Sequence, residues 1–227
     1  DRHATSKIRD LADIEALATF GFRGEALFSV AAVSESILLS APQGAREGWR
    51  VEMKGGKLAG ESAAPARGGT ILEVRNLFFN TPARAKFLKA AASERSHLAR
   101  VVEEAALANP GVGFSYRAEG RSALAFAPQK RLDPATLRRR VLEVLGSGCA
   151  DGMLFAESSS NGLTLRAFFS PADTLTASRG LQFCFVNRRP VSSRTVQQAL
   201  YRAYEPFRPK NRHPAALVFL ETPPDRL

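Results

Sequence analysis

The pattern of apolar and polar positions changes its period several times along the chain. Apolar residues at helical spacing predict helices over residues 10–19, from Glu25 to about residue 33, and over residues 82–108, 134–145 and 192–204. Shorter apolar runs bounded by turn residues predict strands at 35–41, 48–54, 69–75, 112–118, 122–127, 152–158, 162–169, 181–186 and 217–220. Because helices and strands alternate irregularly, the pattern predicts an α+β fold rather than a doubly wound sheet.

Turn and cap residues set the expected ends of these elements. The pairs Gly55-Gly56 and Asn161-Gly162 predict hairpin turns. Thr81 offers a capping hydroxyl directly before Pro82, and Asp133 stands before Pro134 at the start of the next predicted helix. In the last helix, one apolar face is predicted to consist of Val196, Ala199, Leu200 and Ala203.

Length and composition fit two domains. The chain has 227 residues with a hydrophobic fraction of 44%, enough for real cores. Residues 128–133 combine Pro128 with two basic residues, run into Asp133-Pro134 and are interpreted as a linker, which predicts one domain over residues 1–128 and a second over 129–227. No apolar run approaches the roughly 20 residues that span a bilayer, so we expect no membrane association.

The charge is strongly basic and uneven. The net charge is +10, and residues 179–212 hold eight basic residues against one acidic residue, a local surplus of +7. Such a surplus favours a polyanion partner, because each neutralised phosphate releases counterions. The alternative is a solvated basic face without a partner. Residues 84, 86 and 89 admit the same two readings, and the run Arg138 to Arg140 is interpreted as a solvated helix face.

Arginines around the last helix are the candidate DNA contacts. Arg188 and Arg189 precede this helix, Arg194 lies in its first turn and Arg202 near its end. Guanidinium groups placed in this way can reach a phosphate backbone without reading base edges. We therefore expect sequence-independent binding to duplex DNA through these four residues.

The cysteines and histidines indicate no metal centre. Cys149 and Cys184 lack metal-ligand spacing and are predicted to be reduced, mostly buried thiols. The three histidines form no cluster along the sequence.

Two short segments near the start suit phosphate binding. Residues 2–7 combine the hydroxyls of Thr5 and Ser6 with the cation of Lys7. In residues 21–27, Gly24 permits close backbone approach, and a helix beginning at Glu25 would direct free N–H groups at an anion. Taken singly, each segment is equally consistent with an ordinary helix-capping loop. Neither the P-loop pattern nor G-x-G-x-x-G occurs.

Four blocks taken together resemble the MutL-type DNA mismatch repair proteins. Their order and approximate spacing agree with that family over nearly the whole chain. The blocks are R-H-A-T-S-K-I at residues 2–8, G-F-R-G-E-A-L at 21–27, G-T-I-L-E-V at 69–74 leading into L-F-F-N-T-P-A-R-A-K-F-L at 77–88, and F-V-N-R-R-P-V at 185–191.

The resemblance implies an α+β fold: the C-terminal part of a GHKL (Bergerat-type) ATPase domain, followed by a domain similar to ribosomal protein S5 domain 2. It implies ATP as cofactor together with Mg²⁺. By the same matching, Thr70 would help hold the adenine. The implied phosphate contacts are Thr5, Ser6, Lys7, Arg23, Gly24, Glu25, Ala26 and Leu27.

The implied function is that of an ATP-binding DNA clamp and matchmaker that couples mismatch recognition to downstream repair. Ordering of the ATP lid would drive dimerisation, so a homodimer is expected for the intact protein. The implied partners are double-stranded or mismatched DNA and a MutS-type mismatch recognition protein. The expected location is the cytoplasm, associated with the nucleoid when on DNA.

Some family features have no counterpart within these residues. The general-base glutamate, the magnesium-binding asparagine and the D-x-G-x-G loop are expected upstream of Asp1, and the lysine that reaches the γ-phosphate beyond Leu227. Glu25 is no substitute base, because its backbone is the useful part. No catalytic residue is therefore assigned, and residues 1–227 alone are expected to lack ATP hydrolysis.

One departure is local. Arg188 stands where the family often has glycine in a turn, so a positive φ there would strain the backbone.

Two alternatives to the clamp remain open. One is a nucleic-acid-binding S5-like scaffold without nucleotide chemistry, and the other is a truncated, non-functional product. The first 88 residues argue against a pure scaffold, because the lid and Thr70 blocks have no purpose there.

Overall fold

The computed structural model describes residues 21, 23–65, 68–130, 133–207 and 209–223. The helix predicted over residues 10–19 lies outside these ranges. The chain divides into two compact units, Asp1–Ala90 and Ala91–Leu227, called here the first and second units. None of the described helices is both long and apolar enough to cross a membrane.

The first unit contains an antiparallel sheet of four strands in the order β3-β2-β1-β4. Its strands match the predicted ones closely, and Gly55-Gly56 forms the predicted hairpin turn between β2 and β3. The elements are α1 (Ala26–Ala31), β1 (Glu35–Ala41), β2 (Glu47–Lys54), β3 (Lys57–Pro65), β4 (Gly69–Arg75) and α2 (Pro82–Ala85).

Strand β3 was not predicted from the sequence. Its nine residues are mostly exposed and show no alternation of apolar and polar positions. Pairing with β2 holds it in the sheet, with a register shift between Glu52 and Met53. Its strand character therefore comes from the turn and the partner strand rather than from its own side chains.

The prediction of one continuous helix over residues 82–108 was wrong. The chain forms α2 and then a separate helix α3 (Ala91–Ala108), with irregular backbone before Ala91. The intervening lysine, leucine and alanine residues favour helix, so the local sequence does not impose this break. It coincides with the boundary between the two units. Pro82 occupies the first turn as predicted, but Thr81 makes no side-chain cap.

The second unit contains a five-stranded sheet in the order β10-β9-β11-β8-β7. Strand β11 runs parallel to β9, and the other neighbours are antiparallel. The remaining elements are β5 (Phe114–Ala118), β6 (Arg121–Phe126), α4 (Pro134–Leu145), α5 (Ser147–Ala150), β7 (Leu154–Ser160), β8 (Leu163–Phe169), β9 (Gln182–Val186), β10 (Arg189–Pro190), α6 (Arg194–Ala203) and β11 (Ala216–Glu221), with 3₁₀ turns at Arg179–Leu181 and Glu205–Phe207.

The core of the second unit lies on one face of this sheet. Phe168, Phe185 and Leu217 pack there against Leu107 of α3 and Val141 of α4. The opposite face, which includes Cys184 and Val218, lines a cavity of about 370 Å³ together with Val196 and Leu200 of α6. Helix α6 is thus held on the side of the sheet away from the core.

The apolar face of α6 differs from the predicted one. Val196 and Leu200 face the sheet, but Ala199 and Ala203 are exposed. Tyrosines take their place, because Tyr204 Oη donates to the carbonyl of Ser170 and Tyr201 Oη lies 2.8 Å from His213 Nδ1. Ser193 caps this helix by accepting from the N–H of Val196 at 3.2 Å.

Helix α4 begins and ends as predicted, but its arginines do not form a solvated face. Asp133 accepts from the N–H of Thr136 at 2.8 Å and completes a capping box. Arg140 is fully buried, Arg138 is half-buried, and Arg139 is exposed. The interpretation of this run as a charged surface was therefore wrong for Arg140.

Arg140 ties α4 to the hairpin β5–β6. Its Nη2 donates to the carbonyl oxygens of Pro110, Val112 and Ala127 at 3.0, 3.3 and 2.6 Å. Burial lowers the pKa of this guanidinium, opposed by the nearby carboxylate of Glu143. The hairpin and α3 belong to the second unit, whereas the predicted boundary at residues 128–129 places them in the first domain. That domain boundary stays a prediction.

Candidate functional site

The predicted phosphate-binding residues are described in part. Thr5, Ser6 and Lys7 lie outside the described residues. Arg23 and Gly24 form a bend directly before α1, and Gly24 has a φ of 62°, which favours glycine. Arg23 and Leu27 are exposed.

The N-terminal end of α1 has no side-chain cap. Glu25 occupies the N-cap position and makes no side-chain hydrogen bond to the helix. Its carbonyl accepts from the N–H of Ser29 at 2.8 Å, whereas the N–H groups of the first turn have no acceptor within the helix itself. The donors and the Arg23 cation thus lie in one continuous segment, residues 23–27.

Thr70 lies on β4, one of the two edge strands of the sheet described in the first unit. Its hydroxyl is 2.8 Å from that of Ser40 on β1, and Thr70 is exposed. A threonine hydroxyl keeps acceptor capacity after one hydrogen bond, so it can still bind a ligand group. Thr70 pairs with Ser40 near the end of β1, and α1 leads into the start of β1 at Glu35. The two positions on β1 are five residues apart, about 16 Å along the strand.

The candidate DNA contacts lie around the hairpin β9–β10 and α6. Arg188, Arg194 and Arg202 are exposed, and Arg189 is half-buried in β10. Arg194 is the first residue of α6 and Arg202 lies in its last turn, about 12 Å further along the axis. Within the described ranges, no ion pair neutralises Arg188, Arg194 or Arg202.

The turn at Asn187 and Arg188 accepts the expected strain. Both residues have positive φ, 46° and 65°. Asn187 secures the turn, because its Nδ2 donates to the carbonyl of Thr222 at 2.8 Å and its Oδ1 accepts from the Thr222 N–H at 2.9 Å. Its own N–H donates to the carbonyl of Leu220 at 2.8 Å. Fixing Asn187 to the end of β11 holds Arg188 in the left-handed region.

The surroundings of Arg188 differ from those of the other three candidate arginines. Arg188 lines a cavity of about 260 Å³ whose walls also include the carboxylates of Glu157 and Glu221. Arg166 already pairs with both carboxylates, at 2.7 and 3.4 Å. Nearby negative charge weakens the attraction of Arg188 for phosphate, so we rank it below Arg194 and Arg202.

Cys149 lies on α5 and Cys184 on β9. Both thiols are free and half-buried, and burial raises the pKa of each. Among the residues that the structure describes, no three His, Cys, Asp or Glu side chains group together as a metal site would require.

Comparison with known proteins gives consistent matches along the chain. Residues 141–227 match the family model for the DNA mismatch repair protein, C-terminal domain. The MutL proteins of Elusimicrobium minutum and Leptospira biflexa are 47% and 40% identical over 222 residues, 98% of this chain. The chain spans 36% and 35% of their lengths, about a third.

A solved structure supports the fold. The Aquifex aeolicus MutL ATPase domain, complexed with ADP, matches with a TM-score of 0.67 and 30% sequence identity. The match covers 95% of this chain and 76% of that one. The predicted α+β fold, the later part of a GHKL ATPase domain followed by an S5-like domain, is confirmed. With sequence identity along its length and this shared fold, the chain belongs to the MutL family of DNA mismatch repair proteins.

Proposed function

We propose that this chain forms the part of a MutL-type clamp that holds the phosphates of ATP and contacts duplex DNA. The first unit would bind nucleotide through Thr5, Ser6, Lys7, Thr70 and residues 23–27. The second unit would bind DNA through Arg189, Arg194 and Arg202, with a smaller contribution from Arg188. The observation that carries the proposal is the 30% identity with a MutL ATPase domain over 95% of the chain.

The described residues fit a nucleotide but not its metal. The uncapped start of α1, the positive φ of Gly24 and the exposed Arg23 supply donors and charge for a phosphate group. The described residues group no carboxylates into a magnesium site, so we assign no step to Mg²⁺. Residues 1–227 alone are expected not to hydrolyse ATP, because no general base is assigned to them.

The wider role follows the family. In this proposal, the intact protein is a homodimeric clamp that receives the signal of a MutS-type mismatch recognition protein and passes it to downstream repair. It acts in the cytoplasm and on the nucleoid. DNA recognition is independent of sequence, since the candidate contacts are arginines placed for phosphate rather than for base edges.

A chimeric protein tests this function directly. Residues 1–227 replace the matching segment of the Elusimicrobium minutum MutL, which is 47% identical. The proposal expects ATP hydrolysis and repair of a mismatched plasmid in an extract that lacks its own MutL. Duplex binding without any response to ATP would support the scaffold alternative. A well-folded chimera with neither activity would contradict the proposal.

DNA binding has its own test in the same chimera. If three or four phosphates are neutralised, the logarithm of the binding constant should fall against the logarithm of salt concentration with a slope of about −3 to −4. Arg194→Glu should weaken binding the most. The matched control is Arg139→Glu, the same charge change at an exposed arginine on α4. Equal losses in both variants would indicate general charge attraction without a defined surface.

A further inference from the structure

The C-terminal end of α1 and the turn after it are held by donors from two turns distant in the sequence. The carbonyls of residues 31–34 each accept a hydrogen bond from outside the helix. The donors are Gly56 N to Ala31 O at 2.9 Å, Asn80 Nδ2 to Ala32 O at 2.9 Å, Phe78 N to Val33 O at 2.6 Å and Gly55 N to Ser34 O at 3.0 Å. Helix ends normally leave such carbonyls without a partner or close them with a left-handed glycine. Here the C-cap residue, Ala32, is right-handed, so the external donors complete the helix end.

Close approach of the β2–β3 turn makes this arrangement possible. Gly55 and Gly56 have φ values of 57° and 81°. A Cβ on Gly55 would lie 3.3 Å from Asn80 Nδ2, and one on Gly56 would lie 3.4 Å from Ala32 Cα. The glycine pair therefore gives both the backbone conformation and the space that the contact with α1 and Asn80 requires.

Asn80 is the one side chain among these four donors. It lies in the turn that follows β4, the strand that carries Thr70, and its acceptor lies at the end of α1, the helix that follows residues 23–25 directly. The Asn80 amide therefore connects α1, which follows residues 23–25, to the turn after β4, the strand that carries Thr70. The other three donors are backbone N–H groups, which no substitution except proline removes.

We propose that Asn80 is a positioning residue for the nucleotide site: it holds α1 against the turn after β4 and so fixes residues 23–27 relative to Thr70. This inference rests on the proposed function for the nucleotide role of those residues. Without the Asn80 amide, α1 occupies its bound position for a smaller fraction of the time. The apparent affinity for ATP falls by that fraction, while the rate of the bound state is unchanged.

A matched pair of variants isolates this contact. Asn80→Asp keeps the shape of the side chain but replaces the amide donor with a carboxylate. Asn76→Asp makes the same change in the same turn. There, Asn76 Nδ2 donates at 2.8 Å to the Glu35 carboxylate rather than to α1. Both variants lose one exposed hydrogen bond and gain one negative charge. In Asn76→Asp the new carboxylate also faces that of Glu35, so the control carries the larger charge repulsion, and a greater effect of Asn80→Asp reports on α1.

Amide hydrogen exchange on the 227-residue chain tests the anchor without nucleotide. We expect Asn80→Asp to raise exchange at the N–H groups of residues 32–34 by about fivefold, the equivalent of one modest hydrogen bond. Asn76→Asp should leave these rates within about twofold of the original chain. Unchanged exchange in Asn80→Asp, or an equal rise in both variants, would refute the anchor.

Steady-state ATP hydrolysis in the chimera described above tests the positioning role. Asn80→Asp should raise KM for ATP about fivefold and leave kcat within about twofold, and Asn76→Asp should change neither. A fall in kcat at constant KM would show only a smaller folded fraction and would overturn the proposal. If the unsubstituted chimera neither binds nor hydrolyses ATP, the proposed function fails, while the exchange experiment still decides whether Asn80 anchors α1.

Discussion

The sheet of the second unit packs Phe168 and Phe185, each 1% exposed, against α3 and α4. In the first unit, edge strand β4 leaves Ile71, Leu72 and Val74 between 40% and 53% exposed. Within the described part of the first unit, the buried positions are small residues such as Ala31, Ser34 and Ala41. In the described part of the first unit, strand pairing and backbone hydrogen bonds therefore dominate, whereas removal of apolar surface from water dominates the second unit.

This contrast predicts very different costs for the same kind of substitution. Phe168→Ala in the second unit should lower the free energy of unfolding by about 4 kcal/mol, because it leaves a cavity in a packed core. Leu72→Ala in the first unit should cost less than about 1 kcal/mol, because much of that side chain already contacts solvent. Urea unfolding of the two variants measures both values. Similar losses would show that β4 is covered in solution and would break the comparison.

The buried cation of the second unit gives the next largest effect. Arg140→Met should cost about 2–3 kcal/mol of stability, because Val112 and Ala127 lose a charged donor to their carbonyls. Part of the loss is offset, since the substitution removes a charge from an apolar environment.

Arg139→Met on the same helix is the control, because Arg139 is exposed. It should change the free energy of unfolding measured in urea by less than about 0.5 kcal/mol. A neutral or stabilising Arg140→Met would show that desolvation of the guanidinium outweighs its three hydrogen bonds.

Two hairpin turns of the second unit allow the energetic cost of backbone strain to be measured. Asn161-Gly162 and Asn187-Arg188 both have positive φ at each residue, but only the first has glycine at its second position. Arg188→Gly should stabilise the chain by about 0.5–1 kcal/mol, because glycine adopts this conformation without steric cost. Gly162→Ala should destabilise it by a similar amount. Thermal unfolding measures both changes, and a destabilising Arg188→Gly would show that the arginine side chain makes a compensating contact.

Local sequence signals predicted much of this fold. Short apolar runs bounded by turn residues located β1 and β4, and the Asp133-Pro134 pair located the start of α4. Strand β3 escaped prediction because its partner strand, and not its own side chains, determines its conformation. The break before Ala91 escaped for a related reason, since residues 86–90 favour helix locally.

The candidate sites show the same division. Gly24 was singled out in the sequence for close backbone approach, and Arg188 because the resembled family often has glycine there; both have a positive φ in the structure. The Asn80 contact joins positions 48 residues apart, and the Arg140 contacts span 13 to 30 residues. No periodicity records such pairs. The sequence also does not distinguish a buried arginine from an exposed one, because the carbonyl groups that accept its hydrogen bonds come from distant positions.

The smallest expected effect is on the pH dependence of stability, which should have opposite signs for one carboxylate in each unit. In the first unit, hydrogen bonds from Lys54 and then Asn76 lower the pKa of Glu35, so its stabilising contribution exists above the pKa of the unfolded chain and is lost as pH falls through the folded pKa. In the second unit, burial raises the pKa of Glu103, so the folded state gains stability on protonation and loses it as pH rises from the unfolded towards the folded pKa. Glu35→Gln should therefore weaken the stability difference between about pH 6 and about pH 3, whereas Glu103→Gln should stabilise the chain at about pH 6. Denaturant midpoints of both variants at the two pH values measure these changes in stability. A change in stability of the same sign in both variants at about pH 6 would show that the surroundings of the two carboxylates do not differ as the structure indicates.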